Sequence, residues 1–231
     1  MTGAEVTTYI SWEDLAALAF FIISWAGYAQ FAEHKTQSEK SLLAVTDRYR
    51  TQWMVEMIKR DNRSTDAIMI GNLQRSITFF ANTTIFIVLG LISMLGYHDR
   101  FSAVIGNIPF AHADTVFSWE MKIFFLILIF VYSFFKYTWS LRQYNYAGIF
   151  VSSVPPYAEC SDSINTIAAR GGFLVGNAAK HFNNGLRAYY FGLAALAWFI
   201  HAYCFIAATA WVVFVTQRRE YHSSTLANLS R

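Results

Sequence analysis

The chain has 231 residues, enough for one domain or one helical bundle, with 55% hydrophobic, 18% aromatic and 14% charged residues and a net charge of +3. Soluble domains carry about 25% charged residues, so an ordinary water-soluble globule is a poor match. Cys160 and Cys204 lie far apart without metal-ligand spacing, which argues against a disulfide framework or a structural metal.

The apolar residues gather in four blocks. A run of about 17 to 25 apolar residues spans a bilayer core of about 30 Å, so the expected fold class is an all-α integral membrane protein. It would have four transmembrane helices and a cytoplasmic amphipathic helix between the first and second, all in a single membrane domain over 1–231. A soluble helical core would need these stretches to show polar faces, and they mostly do not.

The first block runs from Leu15 to Phe31, between Glu13-Asp14 and Glu33-His34-Lys35. The fourteen residues at the start contain no Lys or Arg, whereas a secretory signal opens on a basic segment, so this span is expected to be retained. From Leu42 to Ile58 the apolar residues Leu42, Val45, Tyr49, Trp53 and Met57 recur at three- and four-residue spacing. With Arg48, Arg50, Gln52, Glu56 and Lys59 on the other sides, the pattern predicts an amphipathic helix over about 42–60, lying in the membrane interface or packed under the bundle.

Arg60-Asp61-Asn62-Arg63 with Asp66 reads as a salt-bridged, solvated connector. Ser64 is the expected N-cap of a helix that runs from Thr65 into the second block, Ile77 to Tyr97. The segment His98 to Ser118, with Gly106, Asn107 and Pro109, predicts a compact extracytoplasmic hairpin or re-entrant turn. The third block runs from Trp119 to Leu141. The chain then breaks at Val154-Pro155-Pro156 and resumes as a helix over Ser163 to Asn177, which Gly171, Gly172 and Gly176 are expected to loosen. The last block runs from Ala188 to Thr216, between Arg187 and Arg218-Arg219-Glu220. At about 1.5 Å per residue it exceeds one bilayer, so a single helix there would tilt or project into water. No internal repeat is visible, which removes the inverted-repeat route to a transporter within one chain.

Lys and Arg favour the cytoplasmic side. Lys35, Lys40, Arg48, Arg50, Lys59, Arg60, Arg63 and Arg75 surround the first connector, Arg100 alone lies in the second, and Arg142, Arg170, Lys180 and Arg187 line the third. The expectation is a multi-pass protein of the cell inner (cytoplasmic) membrane with its N-terminus outside. Four spans then send the C-terminal tail outside as well, although it carries Arg218, Arg219 and Arg231. That tail is the one violation.

Polar groups inside a bilayer are costly and mark functional sites or helix contacts. Asn72, Arg75 and Asn82 fall on one stripe of the second helix. Lys136, Arg142, Gln143 and Tyr144 extend down the third, and Arg187 and Tyr190 open the fourth. Arg75, Asn82, Lys136, Arg142, Tyr144, Arg187 and Tyr190 are thus expected to form a basic cytoplasmic mouth suited to an anionic headgroup or small anion. The plainer alternative is that the basic residues snorkel to phosphates and Asn82 bridges helices. His201 is the one histidine expected at mid-depth. A metal or haem there lacks partners at similar depth, so His201 is read as an intramembrane polar contact, with no metal and no cofactor expected.

Several stretches together resemble a known family. They are Gly71-Asn72-Leu73-Gln74-Arg75-Ser76 leading into Phe79-Phe80-Ala81-Asn82-Thr83-Thr84, then Arg142-Gln143-Tyr144-Asn145-Tyr146, Asn184-Gly185-Leu186-Arg187-Ala188-Tyr189-Tyr190-Phe191, and Arg218-Arg219-Glu220-Tyr221. In order and spacing they are similar to the domain of unknown function 599 family of uncharacterised bacterial and plant membrane proteins. The resemblance implies a four-span membrane protein and supplies no activity or cofactor.

No nucleophile elbow, Walker loop or dinucleotide fingerprint is present. The leading expectation is therefore a non-enzymatic scaffold, accessory or lipid-interacting protein. Its partners would be the lipid bilayer, an anionic lipid, and a second copy or another membrane protein, and not nucleic acid. The alternatives are a small oligomeric channel or transporter, and third a membrane enzyme acting on a lipid or isoprenoid through Asp61 and Asp66.

Overall fold

The computed structural model describes residues 11–37, 41–105, 115–156 and 163–229, and these contain helices and no strand. The helices are α1 (Trp12–Gln37), α2 (Leu42–Ile58), α3 (Ser64–Met94), α4 (His98–Ile105), α5 (Val116–Ser153), α6 (Ile164–Ala195), α7 (Ala202–Tyr221) and α8 (Ser224–Leu229), with a 3-10 turn at Leu196–Phe199 between α6 and α7. Three of them are long and apolar enough to cross a membrane: Trp12–Lys35, Ser64–Met94 and Val116–Ser153. The fourth apolar block is not one helix. It is divided between the end of α6, the 3-10 turn and α7.

Local chemistry sets the helix starts. Ser11 Oγ accepts the Asp14 N–H at 3.1 Å, and Glu13 and Asp14 in the first turn of α1 complement its dipole. Ser41 caps α2 by accepting the Ala44 N–H at 3.2 Å. Ser64 is not the cap of α3: it is the first helical residue, and its N–H goes to Asn62 Oδ1 at 2.9 Å. Of the second connector, His98–Ile105 is helical, and residues 106–114 of the expected hairpin lie outside the described residues. The third helix far outruns its apolar run: α5 has 38 residues, about 57 Å at about 1.5 Å each.

The chain divides into two compact units. The first comprises Met1–Glu33, Thr84–Ser133 and Leu186–Arg219, the second His34–Thr83, Phe134–Gly185 and Glu220–Arg231. The first unit is held by aromatic packing. Phe21, fully buried, meets Trp25, Phe125, Phe191 and Phe205 with ring centroids 5.0 to 5.8 Å away. Trp119, Phe130, Trp198 and Phe199 complete this core. Its outward residues are also apolar, among them Ile23 at 71% exposure and Phe86 at 72%. In water such a surface is unfavourable, and in lipid it is the expected one.

The second unit is built by close backbone approach. A Cβ on Gly172 would lie 2.6 Å from Thr51 Oγ1 and 3.1 Å from Thr51 Cα, one on Gly171 would lie 2.8 Å from Met54 Sδ, and one on Gly176 would lie 3.0 Å from Asp47 Oδ1. Asp47, Thr51 and Met54 follow each other at helical spacing on α2. The three glycines therefore do not loosen α6. They let α2 and α6 approach so closely that an added methyl would press on Asp47, Thr51 and Met54, at Thr51 on the backbone as well. Tyr49, expected among the apolar residues of α2, is half exposed and donates its hydroxyl to the Leu229 carbonyl at 3.4 Å.

Candidate functional site

The candidate residues divide between the units. In the second unit Arg75 is exposed and donates to the Asn72 side-chain oxygen. Arg142 is exposed, with its guanidinium 5.9 Å from the centre of the Trp139 ring. Neither makes an ion pair among the described residues. Asn82 is exposed on α3 between the outward-facing Phe79 and Phe86, and makes no side-chain hydrogen bond among the described residues. Lys136 is half-buried, Tyr144 and Gln143 are buried, and Tyr144 lies within the field of the Asp47–Arg50 pair. The motif residues Gln74 and Asn145 join α3 to α5 through an amide–amide bond of 2.7 Å.

In the first unit Arg187 is half-buried with its guanidinium 5.6 Å from the Tyr28 ring, a cation–π contact. Tyr190 is half-buried with its ring 6.5 Å from that of Tyr189.

His201 is not in the middle of a helix. It begins α7: its Nδ1 accepts the Tyr203 N–H at 3.2 Å, its carbonyl accepts the Phe205 N–H at 3.1 Å, and its ring stacks on Tyr203 at 5.1 Å. Beside it lies a polar node that the sequence reading missed. Trp198 Nε1 donates to Asp14 Oδ1 at 2.6 Å. Lys122 Nζ donates to the Trp198 carbonyl at 3.3 Å, lies 3.9 Å from Asp14 Oδ1, and faces the Trp198 ring at 5.4 Å. The 3-10 turn takes carbonyls out of the helical ladder, and the buried Lys122 serves one of them. Lys122 and Asp14 look in the sequence like the flanking charges of two spans, and nothing local reveals that they meet.

The connector after α2 is salt-bridged, and its Arg60, Asp61 and Asn62 are exposed, but Asp66 at its far end is buried. Asp66 is 1% exposed, and its Oδ1 accepts from Trp53 Nε1 and Arg60 Nη1, both at 2.7 Å. Asp61, its expected acidic partner, is exposed. Arg63 reaches the end of α5, donating to the carbonyls of Val154 and of Pro155, the latter at 2.8 Å. It thereby satisfies oxygens that the last turn leaves without N–H partners. Among the described residues no three His, Cys, Asp or Glu side chains are grouped to hold a metal ion.

Outside the three helices long enough to cross a membrane, His181 is the one described titratable group with a clear shift. Burial, then the charges of Lys136 and Lys180, hold its pKa below the ordinary histidine value. Its Nδ1 is buried without a hydrogen-bond partner among the described residues, and its ring lies 6.1 Å from Trp139.

No curated protein and no solved structure matches the chain. A family model does, over residues 16–225, which is most of the chain, and its description is "Protein of unknown function, DUF599". With apolar helices long enough to cross a membrane, the observations describe a membrane protein of unknown activity, and the chain belongs to the DUF599 family.

Proposed function

We propose that the chain is a non-enzymatic membrane protein of the cell inner membrane, an accessory or scaffold subunit that engages anionic lipid headgroups at its cytoplasmic side. One observation carries this reading. Arg50, Lys59 and Arg60 are matched to Asp47, Glu56 and Asp66, whereas Arg75 and Arg142 are exposed and make no ion pair among the described residues. A guanidinium left without a carboxylate beside a membrane is suited to a phosphate, which it grips through two parallel hydrogen bonds. Lys136 and Tyr144 of the same unit are assigned to this headgroup region, with the N-terminus outside. The helix α2 lies at the interface in this reading.

The test is native mass spectrometry of the full chain from nanodiscs containing phosphatidylglycerol or phosphatidylcholine alone. Preferential retention of phosphatidylglycerol, lost in Arg75→Gln/Arg142→Gln, is the expected result. Equal retention of both lipids, or no change in the double variant, removes the reading.

A second reading, a small oligomeric channel or transporter, draws on Asn82. An amide on an outward apolar face is satisfied in lipid by a partner helix, and four spans in one chain leave little room for a pore. A single copy in the same spectra, with no ion flux in liposomes, would exclude it.

A further inference from the structure

The last apolar block poses a problem that its length alone raises. As one crossing it is too long, and it leaves Arg218, Arg219 and Arg231 on the wrong side. We propose that the later part of α6, the 3-10 turn and α7 form a membrane-embedded helical hairpin, so that the C-terminal tail returns to the side of the membrane that holds α2. The proposal rests on the membrane reading given above and replaces the single fourth crossing with an ascending and a descending arm.

The turn is the first observation. α6 ends at Ala195, the 3-10 segment occupies Leu196–Phe199, and α7 begins at Ala202. Trp198 and Phe205 stack with centroids 5.0 Å apart and planes 16° apart. Residues seven apart in a continuous helix are separated by roughly 10 Å of rise, so this stack breaks the rod. Phe191 and Phe205, about 21 Å apart along a straight helix, both meet Phe21, at 5.6 and 5.0 Å, as a returning chain allows. His201 caps the descending arm, and Lys122 serves the Trp198 carbonyl.

The ends of the hairpin are the second. Its tip is tied to the starts of α1 and α5: Trp198 to Asp14, Tyr203 Oη to Glu13 at 3.5 Å, and the Phe199 ring to Trp119 at 4.9 Å. If α1, α3 and α5 each cross once, the starts of α1 and α5 share one side of the membrane. The connector α2, between the end of α1 and the start of α3, is on the other side. α8 packs on α2, with Tyr49 donating to the Leu229 carbonyl. Between the tip and α8 the chain has therefore crossed back.

Charge gives an independent third. The segments of the second unit hold thirteen of the eighteen Lys and Arg residues, and three of the other five, Arg187, Arg218 and Arg219, lie within two residues of its boundaries. A hairpin brings Arg218 and Arg219 to the basic side, where Arg187 already lies, and the violation of the positive-inside pattern disappears. Only Arg100 and the buried Lys122 remain outside it.

The experiment is cysteine labelling of the full chain in cells, in a Cys160→Ser/Cys204→Ser background, with a membrane-impermeant maleimide. Single cysteines go at three exposed positions: Gln52→Cys in α2, Asp99→Cys in α4 and Ser224→Cys in α8. The expected result is labelling of position 99 in intact cells, with 52 and 224 labelled only after permeabilisation. Labelling of 224 together with 99 in intact cells overturns the hairpin. Labelling of 52 and 224 but not 99 in intact cells keeps the hairpin and overturns the orientation. If all three stay blocked until permeabilisation, the membrane reading fails and the hairpin with it.

Discussion

The two units are held together by different physics. The first packs aromatic rings against each other and confines its buried charge to one node around Trp198. The second brings backbones together through glycines and fastens chain ends with charged side chains, as Arg63 does at Val154 and Pro155. Ring packing tolerates an apolar solvent on its outer side, because the same side chains suit both neighbours and lipid. Close backbone approach and capped helix ends do not depend on what surrounds them, and they suit a region rich in charge. A unit can thus be fitted to its surroundings by the kind of contact that fills it, without any change of secondary structure.

The largest blow to this contrast is Phe21→Ala. Removing a fully buried ring with four aromatic neighbours is expected to cost about 3–5 kcal/mol, seen as a lower unfolding midpoint in detergent by circular dichroism. Next comes Gly172→Ala, where the new methyl meets Thr51 backbone as well as side chain. Overpacking of that kind costs about 1–3 kcal/mol, and a midpoint equal to that of the parent chain would refute the close-approach account. Gly90→Ala is the matched control in the first unit. Nothing lies within 4 Å of its added methyl, so helix propensity alone acts and stabilises by up to about 1 kcal/mol. If both glycine variants shift in the same direction, the distinction between the units is wrong.

The smallest effect concerns pH and the second unit. The His181 pKa is lowered on folding, so the folded state binds its proton less readily than the unfolded chain. The sign follows: stability is fully present above about 6.5, the unfolded value, and declines as pH falls below it. His181→Gln should flatten that part of the stability profile, and an unchanged slope would show that His181 is not its source.

How much of this was legible in the sequence depends on whether the cause was local. The helix over Leu42–Ile58 and the interruption at Pro155-Pro156 follow from periodicity and proline, which act within a few residues. The break at Leu196–Phe199 carries no glycine or proline. It is held by Lys122 and Asp14 from distant helices, and so an apolar run was read as one rod. Gly171, Gly172 and Gly176 were visible, but the backbone freedom of glycine and its small size predict opposite things, and only the neighbouring helix decides between them. The basic candidates were legible as charges. Which of them would find carboxylates was not, because Asp47, Glu56 and Asp66 compete for the same cations through side-chain geometry alone.

The contact between Tyr49 and Leu229 also has a consequence in time. Its two ends are 180 residues apart, and at about 5–20 residues per second of synthesis the second follows the first by roughly ten to forty seconds. Throughout that interval α2 has been made and its C-terminal neighbour has not. The growing chain therefore presents an unfinished helix to the cell for longer than most small domains need to fold. The order of synthesis makes α8 the last piece of the second unit to arrive.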